Sequence, residues 1–139
     1  MDVRSELEAL GFVPAGAIRP IDSGKRSKAE LVALGLTGSV VYALVVGDQF
    51  KKCGDTGRKA ATLKTRMRGC AYTINKIISG DLVGPFTENF KRLAPLAIKE
   101  GQTIHVWARE ASSSDCRRLQ RELNHKYDTI RTGWANRLE

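Results

Sequence analysis

Two groups that can handle a proton stand ten residues apart in the stretch VVYALVVGDQFKKCGDTG, Val40 to Gly57: the phenol of Tyr42 and the ammonium of Lys52. A phenol can position or deprotonate water only if its pKa, ordinarily ~10, is lowered or a neighbour takes the proton. An ammonium close by would stabilise the phenolate, and a desolvated lysine could accept the proton itself. A plainer reading competes with this one. A tyrosine on a strand is usually a packing residue, and a lysine on an edge strand is usually solvated.

Strand periodicity sets a condition on any shared site. A two-residue turn at Gly47 and Asp48 would pair Val46 with Gln49. Tyr42 would then share a face with Gln49, Lys51 and Cys53, and Lys52 would point the other way. The two residues can meet only if a three-residue loop, Gly47 to Gln49, or a β-bulge shifts the register by one, as in a pairing of Leu44 with Lys52. We expect such an irregularity.

The elements around this hairpin follow from pattern. SELEALGF reads as a short helix stopped by Gly11, and VPAGAIRPIDSGKRSK, with two prolines and two glycines, as an exposed loop. SKAELVALG reads as a second helical stretch, with Ser27 as N-cap and Glu30 as its capping-box partner. After the hairpin, helical spacing returns from about Arg58 to Arg68, and again in CAYTINKIISG, which ends at Gly80. FTENFKRLAPLAIKEG is helical in part, with Pro95 expected to kink or split it. TIHVWARE alternates as a third strand. In SSSDCRRLQRELNHKY the stripe Cys116, Leu119, Leu123 and Tyr127 marks a capped amphipathic helix. The expected fold is therefore α/β (α+β), a small, mostly antiparallel three-stranded sheet flanked by helices in the order αα-ββ-ααα-β-α. Residues 1–38 form a helical lead-in and residues 39–139 the main domain, within one compact unit.

Composition narrows the partners. The chain has 139 residues, 23 basic against 15 acidic, for a net charge of +8. That length suits one core, and the excess of cations favours a polyanion. Val40 to Val46, the longest apolar run, is far short of the ~20 residues of a spanning helix, and MDVRSELEALG lacks the apolar segment of a signal peptide. Three widely spaced cysteines, Cys53, Cys70 and Cys116, match neither a zinc pattern nor a disulfide framework. The expectation is a cytoplasmic protein that makes no use of a membrane. His105 and His125 read as a strand residue and a surface residue, not as a ligand pair.

The ordered set VVY, KCG, TLKTRM, RRLQRELNHKY and GWANR resembles the motifs of the GIY-YIG nuclease superfamily, over roughly Ser39 to Arg137. In that resemblance VVY, ending at Tyr42, stands for the first tripeptide. KCG, Lys52 to Gly54, stands for the second, so this is a variant with lysine at the second motif tyrosine. Arg66 takes the place of the helix arginine, Glu122 that of the later glutamate and Asn136 that of the closing asparagine. Cys70 stands where many members have histidine or tyrosine. The resemblance implies a DNA endonuclease of bacterial or phage type that hydrolyses phosphodiesters with one Mg²⁺ (or Mn²⁺). Tyr42 and Lys52 would act at the water, and the planar fork of Arg66 would hold the phosphate. Glu122 would supply a hard oxygen to the metal, while Gly54 and Asn136 support the site.

Basic residues beside these positions, Arg58, Lys59, Lys64, Arg68, Arg118 and Lys126, would track a nucleic-acid backbone, double-stranded DNA in the first instance. Specificity would come from the core's own loops or from a homodimer partner. Each residue also has an ordinary role. For Glu122 it is a helix salt bridge with Arg118 or Lys126, worth ~0.2–0.5 kcal/mol. The alternative function is a non-catalytic nucleic-acid-binding protein that retains the fold.

Overall fold

The computed structural model describes residues 2–32, 38–56, 62–81 and 88–135. The first helix, α1 (Val3–Ala9), is capped by the Asp2 side chain on the Ser5 amide. Two strands follow, β1 (Val13–Ile21) and β2 (Arg26–Leu31), joined through a 3₁₀ turn at Asp22–Gly24. The hairpin comes next, β3 (Val40–Val46) and β4 (Gln49–Asp55). Then come α2 (Leu63–Ile78), α3 (Asn89–Lys99), β5 (Ile104–Glu110), α4 (Ser113–Lys126) and the single turn α5 (Thr129–Thr132).

The sheet has five strands in the order β2-β1-β5-β3-β4, and every neighbouring pair is antiparallel. This enlarges the three-stranded sheet expected from sequence. The segment expected to be loop and helix supplies two of the strands, and physical reasons are visible in it. Gly16 sits at a register shift against β5, and a Cβ there would lie 2.2 Å from the Glu30 carbonyl oxygen. Pro20 pairs with Ser27 beyond the end of the β1–β5 ladder, where its missing N–H costs no ladder bond. Ser27 and Glu30 do not form a capping box. Glu30 meets Arg19 across the hairpin, and Ser27 is bound by a helix.

β3 is buried along its whole length, so its seven residues alternate between two cores. Val40, Tyr42, Leu44 and Val46 face a core closed by α2, α3 and Trp134. Val41, Ala43 and Val45 face a second core, closed by α1 and by the α4 stripe of Cys116, Leu119 and Leu123. Helix α2 joins the two helical stretches read from sequence into one from Leu63 onward, while 58–61 of the first stretch lie outside the described residues. Thr62 caps its start by accepting from the Thr65 amide, and Gly80 follows its end at φ +79°. Pro95 lies inside α3 without splitting it.

A side-chain amide completes each outer strand. Asn124 on α4 accepts from the Cys53 amide at 2.9 Å and donates to the Cys53 carbonyl at 3.0 Å on β4. Asn75 on α2 does the same at Ser27 on β2, at 2.6 and 3.1 Å. Among the described residues no helix is long and apolar enough to cross a membrane.

Candidate active site

The hairpin turn has two residues, Gly47 and Asp48, with Gly47 at φ +60°. Val45 pairs with Phe50, but the next pair is Leu44 with Lys52. Lys51 is the extra residue, bulged out of the ladder. This is the shift of one that the shared site requires. It brings Lys52 opposite Leu44 and hence onto the face of Tyr42.

A bulge leaves a backbone group unpaired in the ladder, and here the tail of the chain satisfies it. The Trp134 amide donates to the Lys51 carbonyl at 2.7 Å. Gly133 makes that approach feasible, since a Cβ there would lie 2.3 Å from the same oxygen. Trp134 then packs edge-on to Phe90 with ring centroids 5.8 Å apart, and the Lys52 ammonium stands 5.6 Å from the Phe90 ring centre.

Gly54 pairs directly with Tyr42. A Cβ at Gly54 would lie 2.6 Å from the phenol oxygen, so the tyrosine lies across the glycine's bare backbone. The supporting role read for Gly54 thus has a steric basis. Tyr42 is 5% exposed. Burial pushes its phenol above the ordinary range, the nearby Cys70 thiol adds to the rise, and the Arg66 guanidinium pulls against both. Burial thus favours the neutral phenol at Tyr42, and it works against the phenolate that an ammonium at Lys52 would stabilise.

Arg66, in the second turn of α2, donates to the Thr56 carbonyl at 3.3 Å. Thr56 is buried just past the end of β4 and is bonded to Val40 through both its amide and its hydroxyl. The guanidinium is thus held at the end of the hairpin. The Cys70 thiol senses both cations: burial raises its pKa, while Lys52 and Arg66 each lower it. An open groove adjoins these groups, lined by Arg66, Gly69, Cys70, Glu88, Phe90 and Lys91. Tyr42, Lys52, Gly54 and Arg66 therefore gather at one end of one face of the sheet.

Glu122 is not brought to this group. The buried stripe of α4 packs on the opposite face of the sheet. Glu122 lies off that stripe, exposed, with Arg118 Nη1 3.5 Å from its carboxylate. The helix salt bridge is the arrangement found. Arg118 also pairs with Asp115, and Lys126 with Glu6, so these two cations are engaged in ion pairs on the far side. Lys64 and Arg68 are exposed on α2, on the Tyr42 side. Arg58, Lys59 and Asn136 lie outside the described residues.

Sequence reasoning missed Phe90, Glu88, Lys91 and Thr56. Only the position of α3 across the groove reveals the first three, and no local pattern announces it. Thr56, directly after the KCGD strand, was readable as a strand-end residue.

An antiparallel sheet lies between α2 and α3 on one face and α1 and α4 on the other, and this overall fold has counterparts among solved structures. Among solved structures it is shared by a point mutant of bacteriophage T4 EndoII, at TM-score 0.54 and 18% identity, over 79% of this chain and 72% of that one. The restriction endonuclease HPY188I in complex with product DNA shares it at TM-score 0.51 and 11% identity, over 92% of this chain and 82% of that one. Sequence comparison finds no matching protein family and no matching curated protein.

Proposed function

We propose that this protein is a DNA endonuclease of the GIY-YIG type, with Tyr42, Lys52 and Arg66 as its working groups. The observation that carries the reading is the bulge at Lys51, which turns Lys52 to the face of Tyr42 beside Arg66. The shared fold supports it, because both structural neighbours are endonucleases by name. The net charge of +8 suits a polyanionic substrate.

In the hydrolysis, a water oxygen bonds to phosphorus, the bond to one sugar oxygen breaks, and the departing oxygen takes up, in net, the proton that the water gives up. Arg66 offers two parallel N–H donors to the phosphate oxygens, where negative charge grows. Lys52 adds a second cation at the same end of the sheet. Tyr42, protonated, holds the attacking water or a phosphate oxygen by hydrogen bond; it does not carry charge itself.

The divalent ion implied by the family does not fit at Glu122, which faces solvent across the sheet from Tyr42. The one carboxylate among the groove's described lining is Glu88, 3.8 Å from the Lys91 ammonium. That lining suits a phosphate better than a metal cation. No group of three metal-ligating side chains forms among the described residues.

A plasmid-nicking assay with Mg²⁺, with Mn²⁺ and with EDTA tests the proposal. Nicking by the wild-type chain and its loss in Lys52→Ala support it. DNA binding without nicking under any of the three conditions would leave a nucleic-acid-binding protein that keeps the fold.

A further inference from the structure

Helix α2 carries more positive charge than its place in the fold requires. Its sixteen residues include Lys64, Arg66, Arg68 and Lys76 and no acid. Lys64 and Arg66 lie within the first two turns, at the positive pole of the helix dipole, where cations are unfavourable. Such an arrangement is stabilised when an anion is bound.

The outer surface of α2 has two further features that packing leaves unexplained. Tyr72 is 64% exposed, the most exposed of the large apolar side chains among the described residues, and the Lys76 ammonium stands 5.4 Å from its ring centre. Gly69 sits mid-helix, where glycine costs about 1 kcal/mol relative to alanine. It has no left-handed backbone to justify it, and a Cβ there would meet nothing within 4 Å. Nothing among the described residues demands this glycine.

These residues lie in line. At 3.6 residues per turn, Gly69 falls on the outermost line of α2, opposite the buried Met67, Ala71 and Ile74, with Arg66 on the groove flank and Tyr72 on the other flank. Arg66 and Tyr72 are about 9 Å apart along the axis. We infer that a nucleic-acid strand leaves the Arg66 groove over the bare backbone of Gly69 and stacks an unpaired base on Tyr72, with Lys64, Arg68 and Lys76 on its phosphates. Aromatic stacking of this kind accepts any base and strengthens binding independently of sequence. The inference rests on the endonuclease reading and specifies its substrate as DNA with unpaired bases beside the cut.

The test is fluorescence anisotropy in EDTA, so that cleavage plays no part, with a blunt hairpin duplex and the same hairpin carrying a single-stranded tail. Tyr72→Ala should weaken binding of the tailed DNA by about 5- to 150-fold and leave the blunt duplex nearly unchanged, while Tyr72→Trp retains tight binding. Gly69→Ala should raise Tm, because the helix gains a better former, and yet weaken tailed-DNA binding. Equal affinity of Tyr72→Ala and wild type for the tailed DNA, or an equal loss on both probes, would overturn the stacking role. Unchanged binding by a stabilised Gly69→Ala would overturn the path over the helix. A wild-type chain that binds neither probe would remove the endonuclease reading, and this inference with it.

Discussion

The Trp134 amide donates to the Lys51 carbonyl at 2.7 Å, so the tail of the chain holds open the bulge that turns Lys52 toward Tyr42. Residues more than eighty positions apart in sequence thereby fix the register of the hairpin at one point.

Gly133→Ala should disturb that bond first, because its new Cβ would lie 2.3 Å from the Lys51 oxygen. The expected cost is about 1–3 kcal/mol, as for other overpacking substitutions, with nicking reduced beyond what the stability loss explains. Urea unfolding and initial nicking rates on the same preparation check this. A stable variant with full activity would mean that the bulge does not depend on Trp134.

Arg66→Ala should lower the nicking rate by roughly 10²–10³, the usual loss of one preorganised donor at a developing charge. Arg66→Lys should recover little, because an ammonium cannot replace the planar fork. Initial rates at saturating DNA measure both. A lysine variant as fast as wild type would reduce Arg66 to a general positive charge.

Glu122→Ala should leave nicking unchanged and remove only an exposed ion pair with Arg118, worth about 0.3–0.5 kcal/mol. Rates with Mg²⁺ and Mn²⁺ decide the matter. A dead variant with an intact circular-dichroism spectrum would restore Glu122 to the metal.

Stability should fall on the alkaline side. Burial raises the pKa of the Tyr42 phenol and of the Cys53 thiol, with Asp55 and Cys116 adding to the rise at Cys53. Unfolded, these groups ionise at ~10 and ~8.5. The folded state keeps protons that the unfolded chain releases, so the stabilisation is complete below ~8.5 and is lost as pH climbs through that range toward the folded values. Urea midpoints between neutral pH and ~10.5 read the slope. Cys53→Ala should flatten its lower part. A midpoint constant over the whole range would show that neither group is shielded.

Strong patterns made part of the molecule legible in advance. β3 carries a continuous apolar run, β5 an apolar alternation and α4 a helical stripe, and nothing in the tertiary structure overrides them. The condition on the hairpin was also legible, since alternation alone excludes a regular two-residue register for a Tyr42–Lys52 site. β1 and β2 were not. Pro20, Gly16 and the Ser27–Glu30 spacing are local signals for loop and helix, and they were outweighed by pairing with β5 and by the Asn75 amide, neither of which is local. The setting of Glu122 is decided in a similar way. Its place in the motif order, ahead of GWANR, comes from the resemblance, but the side of α4 on which it stands is set by which stripe is apolar. That stripe, already visible in sequence, turns Glu122 to solvent.

The two asparagine amides at the outer strands bear on how copies of this chain can associate. A strand arriving at Cys53 or Ser27 would have to displace an amide that already offers both a donor and an acceptor in strand-like spacing. It would break two hydrogen bonds before forming its own, and each buried group left alone meanwhile costs about 1–3 kcal/mol. Sheet extension from one molecule to the next is thus opposed at both ends of the ladder by side chains, with no need for charge or proline there. Contact between protomers through helices or loops meets no such barrier. The variants most prone to fibril-like stacking should be those that lose Asn124 or Asn75, even where their catalytic groups are untouched.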